Sequence, residues 1–130
     1  MSIVLVGWLE RGVLPDLGQR DVITKIDTGA YRSTLHAQNI VVSGKRVRFQ
    51  LSNGLQYELR LIRVCSVTSS CGTTEKRPVV RTVVRIGACE FKTQFTLTNR
   101  SGHRAEILLG RRTVSGRFLV DPKRKFLLSE

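Results

Sequence analysis

The motif with the clearest chemical potential in this sequence is Asp27-Thr28-Gly29-Ala30, which directly follows the alternating segment of residues 22–26. A strand that ends here would deliver the carboxylate of Asp27 to a tight turn. Gly29 permits a close backbone approach that a side chain would forbid, and the Thr28 hydroxyl can donate a hydrogen bond across the turn or to a partner chain. Two carboxylates that share one proton can activate a water against an amide carbonyl. By itself the tripeptide is more typical of an ordinary turn, because Asp and Gly are common there.

The elements that must position this motif are predicted to be strands. Period-2 alternation of apolar and polar residues recurs along the chain, whereas sustained helical periodicity does not. Asn53-Gly54 and Gly87-Ala88 each separate two alternating segments, which predicts two hairpins. The predicted strands are residues 3–6, 22–26, 47–51, 55–64, 78–86, 91–98, 107–109, 118–120 and 126–128.

Three other segments complete the expected architecture. Residues 66–76 are polar and rich in Ser, Thr and Gly, which predicts an exposed and mobile loop. Residues 110–115 predict a short turn or helix, and Asp121-Pro122 predicts a turn between the last two strands. We therefore expect residues 1–130 to form a single all-β domain, a closed or nearly closed β-barrel with at most one short helix.

Length and composition agree with one compact domain. The content of 41% hydrophobic and 25% charged residues excludes intrinsic disorder. Lys and Arg number 22 against 10 Asp and Glu, a net charge of +12, so the domain should attract a polyanion such as an acidic peptide or a nucleic acid. No stretch approaches the ~20 apolar residues of a membrane helix, and residues 3–6 lack the flanks of a signal peptide. The expected location is cytoplasmic, without a membrane partner.

The three cysteines are too few, and odd in number, for a disulfide framework. Cys89 is expected to be a small buried apolar residue. Cys65 and Cys71 could bridge the base of the loop at residues 66–76, although free thiols are favoured.

The cysteines and histidines also lack the spacing of a metal site. The sequence contains neither His-Glu-x-x-His nor Cys-x-x-Cys. His36 is expected to make a hydrogen bond or face a substrate, and His103 to lie in a solvated loop. No phosphate-binding glycine loop is visible, so we expect neither a metal nor another cofactor.

A second motif, Leu108-Leu109-Gly110-Arg111, lies far downstream of Asp27. In retroviral-type aspartic peptidases an apolar-apolar-Gly segment packs beside the Asp-Thr-Gly loop, and an all-β chain of this size with both elements resembles one retropepsin subunit. The sequence contains one Asp-Thr-Gly. A mechanism with two carboxylates therefore requires a homodimer, in which each chain supplies one Asp27.

Further motifs in the same order narrow the resemblance to one bacterial family. The sequence is similar to the retropepsin-like family long labelled "ATP-dependent zinc protease" and associated with RimK-type ATP-grasp ligases. The motifs are Lys25-Ile26-Asp27-Thr28-Gly29-Ala30, Ser33-Thr34-Leu35-His36-Ala37, Arg77-Pro78-Val79-Val80-Arg81-Thr82, Leu108-Leu109-Gly110-Arg111 and Gly116-Arg117-Phe118-Leu119-Val120-Asp121-Pro122.

This resemblance implies that Asp27 is the catalytic carboxylate and that residues 66–76 form a flap over the site. Since RimK-type ligases add glutamate residues to proteins, it also makes an acidic, glutamate-rich tail a coherent substrate. The residues that would support the active-site loop are Thr28, Gly29, Ala30, Leu109 and Gly110. The candidate substrate-binding residues are Arg32, His36, Glu75, Arg77, Arg81 and Arg111.

The sequence departs from the family pattern directly after the Asp-Thr-Gly-Ala motif. The family usually places Arg there, whereas this chain has Tyr31, with Arg32 one residue later. In an extended segment, a shift by one residue moves a side chain to the opposite face.

Basic clusters leave a second class of function open. Residues 45–48, 111–112 and 123–125, with Arg60 and Arg63, could line a phosphate-binding face. The aromatic content of 6% offers no stacking platform for single-stranded nucleic acid, so a solvated strand exterior is favoured for these charges. The alternative to a peptidase is a non-catalytic peptide- or nucleic-acid-binding module on the same basic β-fold.

Overall fold

A computed structural model describes residues 2–68 and 71–128 of the chain, and most of them lie in strands. One α-helix, α1 (Arg111–Val114), and a 3₁₀ turn at Pro15–Leu17 are the helical elements of this described part. None of its helices has the length and apolarity needed to cross a membrane. The strands are β1 (Val4–Leu14), β2 (Gln19–Ile26), β3 (Ser33–His36), β4 (Gln38–Ser43), β5 (Arg46–Gln50), β6 (Gln56–Arg60), β7 (Arg63–Thr68), β8 (Thr74–Ile86), β9 (Cys89–Thr98), β10 (Ile107–Leu109) and β11 (Phe118–Lys125).

The strands form two sheets. The larger sheet has the order β11-β1-β2-β10-β3-β9-β8-β7, and the smaller one has the order β4-β5-β6. A further pairing joins β1 to β8 at Gly12 and Val13. This pairing closes six strands of the larger sheet into a ring, in the order β1-β2-β10-β3-β9-β8. Two residue pairs make this junction, and the result is a ring of strands rather than a regular barrel.

The core lies inside this ring and receives side chains from both sheets. On β8, Val80, Val84 and Ile86 are fully buried, whereas Arg81, on the opposite face, is exposed. This is the alternation expected of a strand with one buried face. The smaller sheet contributes Val47 and Phe49, both at 0% exposure. The predominantly β architecture expected from the alternation is therefore confirmed.

Both predicted hairpins are present. Asn53-Gly54 lies in the turn between β5 and β6, where Gly54 has φ +82°. Gly87 has φ +61° between β8 and β9, and the register there pairs Ile86 with Cys89. Left-handed backbone of this kind is favourable for glycine, which explains why these turns could be located from sequence.

Three predictions of local structure are wrong. Residues 55–64 do not form one strand, because the Leu61 and Ile62 N–H groups donate to Lys45 and Val79, which takes the chain from the smaller to the larger sheet. Residues 66–76 are not simply a loop, since their two ends pair with each other in the β7–β8 ladder. Residues 69 and 70 of that segment lie outside the described residues.

The third error concerns the end of the chain. Asp121-Pro122 does not make a turn between two strands, because both residues lie within β11, which pairs with β1 along one side and forms the edge of the sheet. Proline is tolerated at such an edge, where its missing N–H removes no ladder hydrogen bond. Residues 126–128 form no strand.

The cysteines differ in burial. Cys65 is a buried free thiol, and Cys89 is half-buried against the core rather than fully buried as expected. Cys71 is exposed, with its Sγ 3.7 Å from the Thr73 hydroxyl.

A buried glutamate holds the last described residues against β1. Glu10 has 0% exposure, and its Oε2 accepts hydrogen bonds from the backbone N–H groups of Gly7 at 2.7 Å and Leu127 at 2.9 Å. Its Oε1 accepts a third from Leu128 at 3.1 Å. Three N–H donors satisfy the carboxylate, which makes its burial tolerable.

We predict that Glu10→Gln lowers the free energy of unfolding by about 2–3 kcal/mol, because the new amide NH₂ meets N–H donors and leaves at least one of them unpaired. Urea denaturation measures the change. Glu90→Gln is the matched control, since Glu90 makes only a solvent-exposed ion pair with Arg85 at 3.8 Å and should change stability by less than about 0.5 kcal/mol. Equal effects of the two substitutions would contradict this role of Glu10.

Candidate active site

The two sequence motifs meet at one end of the ring. Strand β10 runs parallel to β2, with Leu109 opposite Ile26, and antiparallel to β3 on its other side. The Asp27 N–H, directly after β2, donates to the Leu109 carbonyl at 2.8 Å. The sheet therefore places the Asp-Thr-Gly turn beside the apolar-apolar-Gly segment.

The carboxylate of Asp27 is fixed by its own turn. Its Oδ1 accepts a hydrogen bond from the Gly29 N–H at 3.0 Å, and the Ala30 N–H donates to the Asp27 carbonyl at 3.3 Å. The Asp27 side chain keeps 25% of its surface exposed, and Lys25 Nζ lies 3.8 Å from Oδ2. A carboxylate that is held on one oxygen and open to solvent can accept a hydrogen bond from a water.

Gly110 makes the close approach that brings the two motifs together. A Cβ at this position would lie 2.4 Å from the Arg32 carbonyl oxygen and 2.6 Å from that of Tyr31. Arg111, the next residue, donates its backbone N–H to the Ala30 carbonyl at 2.7 Å. Its guanidinium donates to the Thr28 carbonyl at 3.0 Å. Helix α1 thus begins directly against the Asp27 loop.

A group of hydroxyls beneath the loop was not found from sequence. Ser33 Oγ accepts from the Gly110 N–H at 3.1 Å and lies 2.6 Å from Thr113 Oγ1. Thr113 Oγ1 in turn lies 2.8 Å from Thr93 Oγ1, so the network reaches β9. Ser and Thr are unremarkable in strands, and only the pairing of β3 with β10 and β9 reveals that these side chains converge.

A groove of about 460 Å³ opens beside the Asp27 loop. Three arginines line it, namely Arg32, Arg77 and Arg100. Ser66 and Thr68 of β7 also belong to the lining. The Arg77 side chain is 17% exposed, and its Nε is buried without a hydrogen-bond partner. The groove is thus positively charged, and one of its arginines has a buried Nε–H with no acceptor among the described residues.

Arg100 is the residue of this groove that sequence analysis missed. Its backbone N–H donates to His36 Nδ1 at 2.8 Å, and the Nε–H of its side chain donates to the Ala105 carbonyl at 3.0 Å. Burial lowers the pKa of Arg100, as does the neighbouring charge of Arg77, while the carboxylate of Asp27 acts in the opposite direction. No motif marks this arginine in the sequence, because it lies in a polar segment that is typical of a solvated loop.

The structure places the six candidate substrate-binding residues differently. Arg32 and Arg77 line the groove, and Arg111 lies beside it, 5.9 Å from the centre of the Tyr31 ring. His36 is buried at 9% exposure, and its Nδ1 accepts the hydrogen bond from the Arg100 backbone. The other two candidates stand outside the lining, Glu75 in an ion pair with Arg77 and Arg81 on the exposed face of β8.

The part of the chain that the structure describes contains no group of three or more His, Cys, Asp or Glu side chains placed to hold a metal ion. These described residues therefore do not fit the zinc of the older family label.

Comparison with known proteins agrees with this geometry. A family model described as "Retropepsin-like aspartic endopeptidase RimB" matches residues 5–130. The chain belongs to this RimB-like family. The resemblance inferred from the motifs is therefore confirmed. A crystal structure of a protein of unknown function from Legionella pneumophila has 29% identity and a TM-score of 0.80, with 98% of this chain and 100% of that chain covered.

The curated relatives are longer proteins. A "Probable alpha-L-glutamate ligase" of Shewanella pealeana is 33% identical over 97% of this chain, and one of the same name from Parasynechococcus marenigrum is 33% identical over 92%. The chain spans 30% and 28% of the lengths of these relatives. The RimB-like segment is thus part of a larger chain in both of them.

We predict that Gly110→Ala lowers the free energy of unfolding by about 3 kcal/mol, because the added methyl group overlaps two backbone carbonyl oxygens that cannot move independently of the loop. Denaturation with urea measures the effect. Gly102→Ala is the control: nothing lies within 4 Å of its Cβ, and its φ of +89° costs about 1 kcal/mol. A Gly110→Ala protein as stable as the control would refute the close approach.

Proposed function

We propose that two copies of this chain form an aspartic-type peptidase that hydrolyses amide bonds in acidic, glutamate-rich peptide tails. The observation that carries this proposal is the Asp27 carboxylate, fixed by the Gly29 N–H, partly exposed and adjacent to a groove lined by arginines. Membership of the RimB-like family supports the class of reaction.

The proposed mechanism needs two carboxylates, and each chain has one Asp-Thr-Gly. Asp27 and the partner subunit's Asp27 would share one proton and bind a water between them. The ionised carboxylate takes a proton from the water as its oxygen attacks the carbonyl carbon, and the protonated carboxylate donates to the carbonyl oxygen. The C–N bond then breaks as the leaving amine takes the proton that came from the water, and a hydroxyl of the tetrahedral intermediate returns its proton to the second carboxylate, which restores the shared-proton pair.

The groove supports an acidic substrate. Guanidinium groups bind carboxylates in bidentate geometry, and Arg77 is one of the groove's lining residues. Arg32 and Arg100 add two more positive charges to the lining. The names of the longer relatives point to glutamate as the residue involved and support a functional link to a glutamate ligase.

The same relatives favour one alternative, in which the chain holds acidic peptides without cleaving them, as an accessory to a ligase. Binding of an acidic peptide by both wild type and Asp27→Asn, with no hydrolysis by wild type, would establish this alternative.

We predict that Asp27→Asn reduces the hydrolysis of a glutamate-rich peptide by at least about 10³-fold, because the amide cannot act as a base. Product formation is followed by chromatography, and the melting temperature checks that the fold is retained. Asp121→Asn is the matched control, since Asp121 lies in β11 outside the groove lining. Full activity in Asp27→Asn would exclude the proposed mechanism.

A mixing experiment tests whether the site is shared between two chains. An excess of inactive Asp27→Asn added to wild type should suppress its activity, because most wild-type chains then pair with a partner that has no second carboxylate. Light scattering at the same concentrations gives the mass of the assembly. If activity persists in proportion to the wild-type chains, each chain is catalytically independent.

We predict that Arg77→Gln raises KM for an acidic peptide about tenfold, because one charge-assisted pair with a carboxylate is lost. Arg81→Gln removes the same charge from the exposed face of the same strand and should leave KM nearly unchanged. Steady-state kinetics at constant ionic strength measure both values. Equal increases in the two variants would show that overall charge, rather than the groove, attracts the peptide.

A further inference from the structure

The Glu75 carboxylate stands at the edge of the arginine-lined groove. Its Oε2 lies 3.4 Å from Nη2 of Arg77, and its Oε1 accepts a hydrogen bond from the Thr98 hydroxyl at 2.8 Å. Glu75 and Thr98 also line a neighbouring depression of about 520 Å³, which Ile40 and Pro78 help to form. The side chain therefore lines this depression and contacts Arg77, which lines the groove.

The pair between Glu75 and Arg77 leaves the guanidinium partly unused. A carboxylate in good geometry binds two N–H groups of one arginine at about 2.7–2.9 Å. Here one contact is made, at 3.4 Å, and the buried Nε has no partner. Arg77 also lines the groove together with Arg32 and Arg100, so a carboxylate that enters the groove meets the same guanidinium that Glu75 contacts.

We propose that Glu75 is an internal competitor of the substrate: it occupies Arg77 in the free protein, and a substrate carboxylate must displace it or share the arginine with it. The inference rests on the proposed function, in that it assumes an acidic ligand in the groove. In this role Glu75 weakens the binding of an acidic peptide instead of contributing to it. The competition favours peptides with several carboxylates over those with one, since further carboxylates can pair with Arg32 and Arg100 and so offset the repulsion by Glu75.

Glu75→Gln is a conservative test of this inference. The amide keeps an Oε1 acceptor for the Thr98 hydroxyl and removes the negative charge beside Arg77. A like charge at the edge of a partly solvated site weakens ligand binding about three- to tenfold, so its removal should tighten binding by that factor. Glu90→Gln is the matched control, because Glu90 forms an exposed pair with Arg85 on the same β8–β9 hairpin, distant from the groove.

The dissociation constant of pentaglutamate is measured by calorimetry in an Asp27→Asn background, so that cleavage cannot interfere. We expect three- to tenfold tighter binding with Glu75→Gln, no change with Glu90→Gln, and no change in either variant for a neutral peptide of Ser and Ala. With Asp27 intact, Glu75→Gln should lower KM and leave kcat unchanged. Melting temperatures within a few degrees of wild type confirm that the fold is retained.

Unchanged or weaker binding by Glu75→Gln would overturn the inference, and so would equal tightening by Glu90→Gln. Neither result affects the peptidase proposal, which depends on hydrolysis by wild type and its loss in Asp27→Asn. If pentaglutamate binds to none of these proteins, both the role of Glu75 and the acidic substrate are refuted. Hydrolysis of a neutral peptide that requires Asp27 would then leave the peptidase standing with a different substrate.

Discussion

The insertion of β10 between β2 and β3 is the constraint on which the site depends. This strand has three residues, yet it pairs with both neighbours and supplies the carbonyl that receives the Asp27 N–H. Gly110 then allows α1 to begin against the carbonyls of Tyr31 and Arg32. A Cβ at this position would force the strand and the loop apart, so one glycine decides whether the carboxylate has a fixed position.

The groove combines a negative group with an excess of positive ones. Asp27 has Lys25 at 3.8 Å, and Arg100 is close enough to feel the charges of both Asp27 and Arg77. Such an arrangement suits a reaction in which the ligand supplies the missing negative charge. The overall charge of +12 favours the approach of acidic molecules from a distance.

The sequence was informative wherever structure is decided by neighbouring residues. The hairpin at Asn53-Gly54 needs only a turn that glycine favours, and the Asp27 motif carries its own turn geometry. Family motifs then linked Asp27 to Gly110, although they are more than eighty positions apart in the chain.

Features that depend on distant contacts could not be predicted in this way. The break after Arg60 is set by hydrogen bonds of the next two residues to Lys45 and Val79, and the place of Arg100 is set by the ring nitrogen of His36. Neither contact leaves a local pattern. Pro122 misled the prediction because a turn and an edge strand accept proline equally well.

The short strand β10 also has a consequence for motion. Its residues bond on both sides, so the amide of Asp27 can exchange its proton with solvent only when the sheet itself opens. The polar end of the β7–β8 hairpin, around Cys71 and Gly72, is exposed and has no such protection from the core. Hydrogen exchange should therefore be slow at the amide of Asp27 and faster at the exposed end of the β7–β8 hairpin.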